Sequence, residues 1–151
     1  DGLKAFTIVR QRHPETEFPM HGVPTKNDLP AWIQTYGRVS DDELRGLYNS
    51  SDIYVIPSWV EGSQLPPMEA MACGCAVAAT NVGGITDYAV PEKTVLVSPP
   101  RKPESLAVNI IELLEDKEKL KAIAKAGHEF IEQFTWDRAT NRLEAILQAK
   151  R

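Results

Sequence analysis

The sequence has few cysteines and few histidines. Its two cysteines, Cys73 and Cys75, are separated by one residue, a spacing too short for a comfortable disulfide and without the second pair that a structural zinc site needs. We therefore expect two small buried thiols in a reducing, cytoplasmic setting. The sequence has three histidines, His13, His21 and His128, and none has a second histidine four residues away. No metal site is therefore expected.

An excess of positive charge and long apolar runs are also missing. The chain has 17 Lys+Arg against 21 Asp+Glu and a formal net charge of -4, so bulk charge does not favour nucleic acid as a partner. Apolar runs such as 76–79 are far shorter than the roughly 20 residues of a membrane-spanning helix. The chain opens with Asp1-Gly2-Leu3, without an initiator Met or a leader pattern, and we interpret it as a piece of a longer protein.

The 151 residues, 42% hydrophobic and 25% charged, have the composition of one folded domain. Within segments 52–57, 76–80 and 94–98 the apolar residues are consecutive rather than alternating, which is typical of strands covered on both faces of a parallel sheet. Helices are predicted within 61–73, with Gly74 ending the helix, and over 103–116, 118–134 and 135 to the end. This order predicts an α/β fold with a doubly wound, mostly parallel Rossmann-like sheet and helices on both faces.

The first third of the chain adds shorter elements. A helix is predicted over 3–13, ending before Pro14 and lacking the strand that should lead into it. Extended pieces follow at 18–21 and 31–36, separated by a polar stretch at 24–30. Ser40 and Glu43 form a capping-box pattern, which predicts that a helix begins there.

The loop after strand 52–57 is the strongest candidate for chemistry, because open parallel sheets bind ligands beyond the carboxyl ends of their strands. It carries Glu61 in the loop and Glu69 about one turn into the helix. An ionised carboxylate accepts two hydrogen bonds from a vicinal diol such as that of ribose, and we expect Glu69 to be buried beneath the helix tip. The alternative is that Glu69 only favours the helix dipole and Glu61 is an exposed loop charge.

The start of this helix is a candidate anion site. Pro66 and Pro67 have no N–H, so the donors that remain are mainly the backbone amides of Ser63, Gln64 and Leu65. Free amides and the positive end of the helix dipole favour a phosphate at this point.

This segment resembles a known family. Glu61, seven intervening residues and Glu69, continuing as Glu-Ala-Met-Ala-Cys-Gly and followed by strand 76–80 and Gly83-Gly84, is similar to the donor-binding half of retaining glycosyltransferases of the GT-B fold, family 4. The likeness covers nearly the whole chain. It implies that residues 1–151 form the nucleotide-sugar-binding C-terminal domain, with the acceptor-binding N-terminal domain lying outside them.

The resemblance also implies roles for individual residues. Glu61 faces the transferred sugar and is the catalytic candidate, while Glu69 holds the ribose hydroxyls. The backbone near Gly37, Arg38 and Val39 borders the base. The diphosphate contacts the backbone amides of the loop, at Gly62, Ser63, Gln64 and Leu65. Gly83 and Gly84 shape the adjoining wall of the site, unless they form a plain turn.

The family likeness further implies transfer to a glycan or lipid-linked acceptor with retention, no metal and no cofactor, the nucleotide diphosphate sugar being the donor substrate. Three positions depart from the pattern. Asp1 stands where the family usually has a diphosphate-clamping Lys, Gln64 replaces a common glycine and should stiffen the loop, and Thr94 replaces another. We expect this domain alone to bind nucleotide without turnover, in a cytoplasmic protein peripheral to the inner membrane through its other domain. The alternatives are a non-catalytic sugar-nucleotide sensor and one half of a GT-B-like sugar-nucleotide epimerase.

Overall fold

The computed structural model describes residues 1–22 and 29–149. Within them, helices and strands alternate for most of the chain, and three helices follow the last strand. The elements are α1 (Gly2–Arg12), β1 (Phe18–His21), β2 (Ile33–Gly37), α2 (Asp41–Asn49), β3 (Ile53–Ile56), α3 (Leu65–Ala72), β4 (Ala76–Thr80), α4 (Ile85–Tyr88), β5 (Leu96–Ser98), α5 (Pro103–Glu115), α6 (Lys117–Ile131) and α7 (Trp136–Gln148).

All the strand pairs are parallel, and helices cover both faces of the sheets, so the predicted α/β class is confirmed. The strands do not form one continuous sheet, however. β1 pairs with β2, and β3, β4 and β5 form a separate three-stranded sheet. In the described residues β1 and β3 share no ladder, and a cavity of about 750 Å³ lies between them.

The two sheets nevertheless share one hydrophobic core. This cluster joins Val9 of α1 and Phe18 of β1 to Ala78 of β4, Leu96 of β5 and Leu106 of α5. A second cluster fills the space around α3, α4 and α6. All five residues of β4 are buried, which explains its continuously apolar sequence.

The local signals in the sequence agree with the element boundaries. Ser40 and Glu43 form the complete reciprocal capping box at the start of α2. Gly74 has φ +88 just after α3, a backbone conformation that glycine adopts without strain. The loop at 81–91 contains the short helix α4. Most of the polar stretch 24–30 lies outside the described residues.

Helix α7 ends the described chain without joining the core. None of its residues is buried, and its apolar side chains are exposed at Trp136, Leu143, Ile146 and Leu147. Among the helices of the described residues, none is long and apolar enough to cross a membrane.

Candidate ligand-binding site

The amino end of α3 presents unused backbone donors at the carboxyl edge of the three-stranded sheet. Gln64 is the N-cap residue, with no capping hydrogen bond from its side chain, and prolines occupy the first turn. In the described part of the chain, the N–H groups of Ser63, Gln64 and Leu65 donate no hydrogen bond to the protein. The helix dipole points its positive end toward the same place, so the geometry suits an anion.

Glu61 is held in position by the ends of two neighbouring strands. The Ser58 hydroxyl donates to Glu61 Oε1 at 2.6 Å. The Thr80 hydroxyl, at the end of β4, donates to the backbone oxygen of Ser58. This chain of bonds fixes the loop directly after β3, and neither Ser58 nor Thr80 was singled out by the sequence pattern.

Gly83 and Gly84 pack against the backbone of this loop. A Cβ at Gly83, whose φ is +54, would lie 1.9 Å from the backbone oxygen of Glu61. The Gly84 N–H donates to the backbone oxygen of Gly62 at 3.1 Å. The pair is therefore more than a plain turn, because glycine alone permits the approach that supports Glu61 and Gly62.

Glu69 lies in the second turn of α3 and is exposed, so the expectation that it is buried is wrong. The reason is helical spacing: Pro67, Ala70 and Met71 face the core, and this turns position 69 outward. Its Oε2 accepts a hydrogen bond from the hydroxyl of the buried Tyr48 at 3.3 Å, which orients the carboxylate.

The charges of Glu69 and Glu61 both affect the ionisation of Tyr54 in β3. Burial, followed by the charges of Glu69 and then Glu61, raises the pKa of Tyr54 to about 12. The Tyr54 ring also packs edge to face on Tyr48, with centroids 5.6 Å apart. The charges of Glu69 and Glu61 thus both reach Tyr54, while the contacts of the two carboxylates with ribose and sugar stay a prediction.

Gln64 departs from the family pattern and is buried, with 3% of its surface exposed. Its Oε1 accepts a hydrogen bond from the hydroxyl of Tyr88, while its Nε2 has no partner among the described residues. The side chain therefore ties the start of α3 to α4. Of this residue, only the backbone N–H is available to an anion.

The residues predicted to border the base lie at the carboxyl end of β2. Gly37 has φ +63, and its backbone oxygen accepts a hydrogen bond from the N–H of Gly22 at 2.6 Å. Arg38 is exposed and Val39 is partly buried in the connection to α2. Their contact with a base stays a prediction.

At the same edge of the sheet, the side chain of Trp59 contacts those of Asp1 and Arg101. The indole Nε1 of Trp59 donates to Asp1 Oδ2 at 2.6 Å, and the guanidinium of Arg101 lies over the Trp59 ring, 4.8 Å from its centroid. Asp1 thus accepts a hydrogen bond where the family usually has a lysine. No local pattern predicts this contact, because it joins residues that are distant in the chain.

Both cysteines are free thiols. Cys75 is buried, as expected, and burial raises the pKa of Cys75 to about 12. Cys73 is only partly buried, because it is the C-cap residue at the end of α3, so the expectation that it is buried is wrong. In residues 1–22 and 29–149 no three His, Cys, Asp or Glu side chains are grouped as metal ligands would be.

A sequence profile of one protein family, described as glycosyl transferases group 1, matches residues 3–130. The chain is 33% identical to an uncharacterized glycosyltransferase of Methanocaldococcus jannaschii over 82% of its length, and 36% identical to a sulfoquinovosyl transferase of Arabidopsis thaliana over 93%. It spans only 35% and 29% of the lengths of these two relatives.

Solved structures show the same fold. A sucrose-phosphate synthase of Thermosynechococcus elongatus superposes with a TM-score of 0.82 at 26% identity, over 99% of this chain and 43% of that one. The C-terminal domain of a group 1 glycosyl transferase of Francisella tularensis superposes with a TM-score of 0.77 at 24% identity, over 87% of this chain and 76% of that one.

Proposed function

This chain belongs to the glycosyl transferases group 1 family, and we propose that it is the donor-binding, C-terminal domain of a retaining family 4 glycosyltransferase. The whole protein would move a sugar from a nucleotide diphosphate sugar to a glycan or lipid-linked acceptor in polysaccharide biosynthesis. The observation that supports this proposal best is the set of unused amides at the start of α3, flanked by Glu61 and Glu69.

Each part of the site has a chemical task in this proposal. The leaving diphosphate gains negative charge in the transition state, so the amides of residues 62–65 stabilise that state more than the ground state. Glu69, oriented by Tyr48, accepts hydrogen bonds from the ribose hydroxyls. Glu61, held by Ser58, orients the transferred sugar. Val39 and its neighbours border the base.

The remaining groups belong to the other domain. We place the acceptor site and the group that receives the acceptor's proton in an N-terminal domain outside residues 1–151, so this domain alone binds nucleotide without turnover. Charge stabilisation by backbone amides gives a mechanism in which no metal and no cofactor takes part. Two free thiols support a reducing, cytoplasmic location, with any contact to the inner membrane made by the other domain.

Nucleotide titration of the 151-residue chain tests the role of Glu69. We expect calorimetry to show binding of at least one of UDP, GDP and ADP. Loss of charge-assisted hydrogen bonds in Glu69→Ala should weaken that binding roughly tenfold or more and leave binding of inorganic pyrophosphate unchanged. Glu104→Ala, at an exposed carboxylate of α5, is the matched control. Equal affinity for pyrophosphate and nucleotide, or an unchanged Glu69→Ala variant, would contradict the ribose assignment.

Glu61→Ala in the full-length protein distinguishes a transferase from a sensor. Because Glu61 contacts only the transferred sugar in this proposal, we expect turnover to fall about a hundredfold while nucleoside diphosphate affinity is retained. Unchanged turnover would remove Glu61 from the mechanism. A full-length protein that binds the nucleotide sugar and produces no glycoside would favour the sensor, and an epimerised nucleotide sugar would favour the epimerase.

A further inference from the structure

Trp59, in the loop after β3, is exposed but is held in place from two sides. It is 52% exposed. Its indole Nε1 donates to Asp1 Oδ2 at 2.6 Å, and the guanidinium of Arg101 lies over the ring, 4.8 Å from the centroid. The hydrogen bond and the cation–π contact restrain both side chains. We call these two residues the Trp59–Arg101 pair, which presents an ordered apolar surface beside an ordered cation.

The backbone of Arg101 is strained. Its φ of +61 lies in the left-handed region, where a residue with a side chain loses free energy and glycine does not. Strained residues cluster at binding sites, where the surrounding structure holds them in place. Glycine would form this turn before α5 without strain, so the turn by itself does not explain an arginine here.

The charge of Arg101 is not neutralised by a neighbouring carboxylate. None of the ion pairs within residues 1–22 and 29–149 includes it. Arg12, by contrast, donates two hydrogen bonds to Glu115. The planar set of N–H donors of a guanidinium matches the two oxygens of a carboxylate, so Arg101 is free to bind such a group on a ligand.

The Trp59–Arg101 pair lies on one side of Glu61, and the anion site lies on the other. Trp59 precedes Glu61 by two residues, and the adjacent Ser58 holds Glu61 at 2.6 Å. The free backbone amides at 63–65 and then Glu69 follow Glu61 in the chain. A ligand that extends from Glu69 across these amides to Glu61 therefore ends beside the pair.

We propose that the Trp59–Arg101 pair is a subsite for an acidic sugar. A donor with its ribose at Glu69 and its diphosphate at the amides has its sugar at Glu61, next to the pair. A carboxylate on that sugar binds the guanidinium of Arg101, and the C–H groups of the ring pack on the indole. The donor class is then the nucleotide diphosphate of a uronic acid. This inference rests on the proposed function, from which it takes the direction of the bound donor.

Sugar 1-phosphates test the subsite without the base and the ribose. The 151-residue chain is titrated with glucuronate 1-phosphate and with glucose 1-phosphate, and NMR follows the indole N–H resonance of Trp59, identified with Trp59→Phe. We expect the uronate to bind roughly tenfold more tightly, because it adds a charge-assisted contact. Arg101→Gly, which suits the positive φ, should remove this preference and leave the affinity for glucose 1-phosphate unchanged. Lys102→Ala, at the neighbouring exposed cation, is the matched control and should retain the preference.

Three results would overturn the proposal. Equal affinity of the two sugar phosphates, or a preference that survives in Arg101→Gly, would exclude the subsite. Weaker binding of inorganic pyrophosphate to Arg101→Gly would place the guanidinium on the diphosphate instead. Methyl glucuronide that binds as tightly as glucuronate 1-phosphate would place the acidic sugar in the acceptor. If nucleotide binding still depends on Glu69 in any of these cases, the proposed function stands and only the subsite fails.

Discussion

Thr80, which lies outside the predicted ligand contacts, and Gly83, which is one of them, together determine where Glu61 lies. Thr80 bonds the backbone of Ser58, and Gly83 gives the Glu61 carbonyl room to approach. Both contacts are possible because β3 and β4 run parallel, so their carboxyl ends lie at the same edge of the sheet. The position of the catalytic candidate therefore depends on the chain that follows β4.

Gly83→Ala should disrupt this loop. The new methyl would meet the Glu61 backbone oxygen, and the residue would also be strained by its positive φ, so we expect a loss of about 3 kcal/mol or more in the free energy of unfolding. Gly74→Ala is the matched control, because Gly74 also has a positive φ but nothing within 4 Å of an added Cβ. It should cost only about 1–2 kcal/mol. Equal losses in urea unfolding would contradict the close-approach argument.

Tyr54 predicts how stability depends on alkaline pH. Burial and the nearby charges of Glu69 and Glu61 raise its pKa to about 12 in the folded state, against about 10 for an ordinary tyrosine. The unfolded chain therefore loses this proton first, and the contribution of Tyr54 to stability is complete below about pH 10 and is lost as the pH rises to about 12.

In Tyr54→Phe the decline in the free energy of unfolding from about pH 9 to about pH 11.5 should be smaller than in the wild type. Urea unfolding at both pH values measures it, and the same pair of proteins near neutral pH controls for lost packing. An identical decline in both proteins would show that Tyr54 does not titrate in this way.

At the scale of elements, α2 and α3 begin in opposite ways. α2 has a complete capping box in which Ser40 and Glu43 satisfy each other's backbone N–H groups. α3 has no side-chain cap, and its first turn contains two prolines. An end without a cap leaves donors for a ligand, whereas a capped end stabilises the helix itself.

Ser40→Ala should lower the free energy of unfolding by about 1 kcal/mol, because the N–H of Glu43 loses its acceptor. Ser105→Ala, within α5, should be close to neutral. Hydrogen bonds from Ser40 lower the pKa of Glu43. The Glu43 carboxylate therefore contributes to the free energy of unfolding above the ordinary pKa of a glutamate, and this contribution is lost as the pH falls through the lowered pKa. Urea unfolding near neutral and near acid pH measures both effects. An equal loss in the two serine variants would exclude a capping role.

At the scale of the whole molecule, the divided sheet does not divide the core. Leu106 of α5 is fully buried in the cluster that joins both sheets. α5 also packs on α1, β4 and β5. The two sheets and the helices packed on their shared core should therefore unfold as one cooperative unit.

Leu106→Ala tests this cooperativity. Loss of its methyl groups should lower the free energy of unfolding by about 2–5 kcal/mol and accelerate hydrogen exchange in β1 and β4 together. Val108→Ala, on the same helix but 61% exposed, should change the free energy of unfolding by less than about 1 kcal/mol. Faster exchange in only one sheet would mean that the two sheets unfold separately.

The sequence by itself determined the parallel α/β class, the capping box of α2 and the length of β4. These features depend on neighbouring residues and on backbone chemistry, which a local pattern records. The tertiary structure alone decided that Glu69 is exposed, that Tyr48 bonds it from 21 residues away, that Gly83 lies on Glu61, and that a cavity separates β1 from β3. Contacts between distant segments depend on how the elements pack, and the spacing of residues along one segment carries no record of that packing.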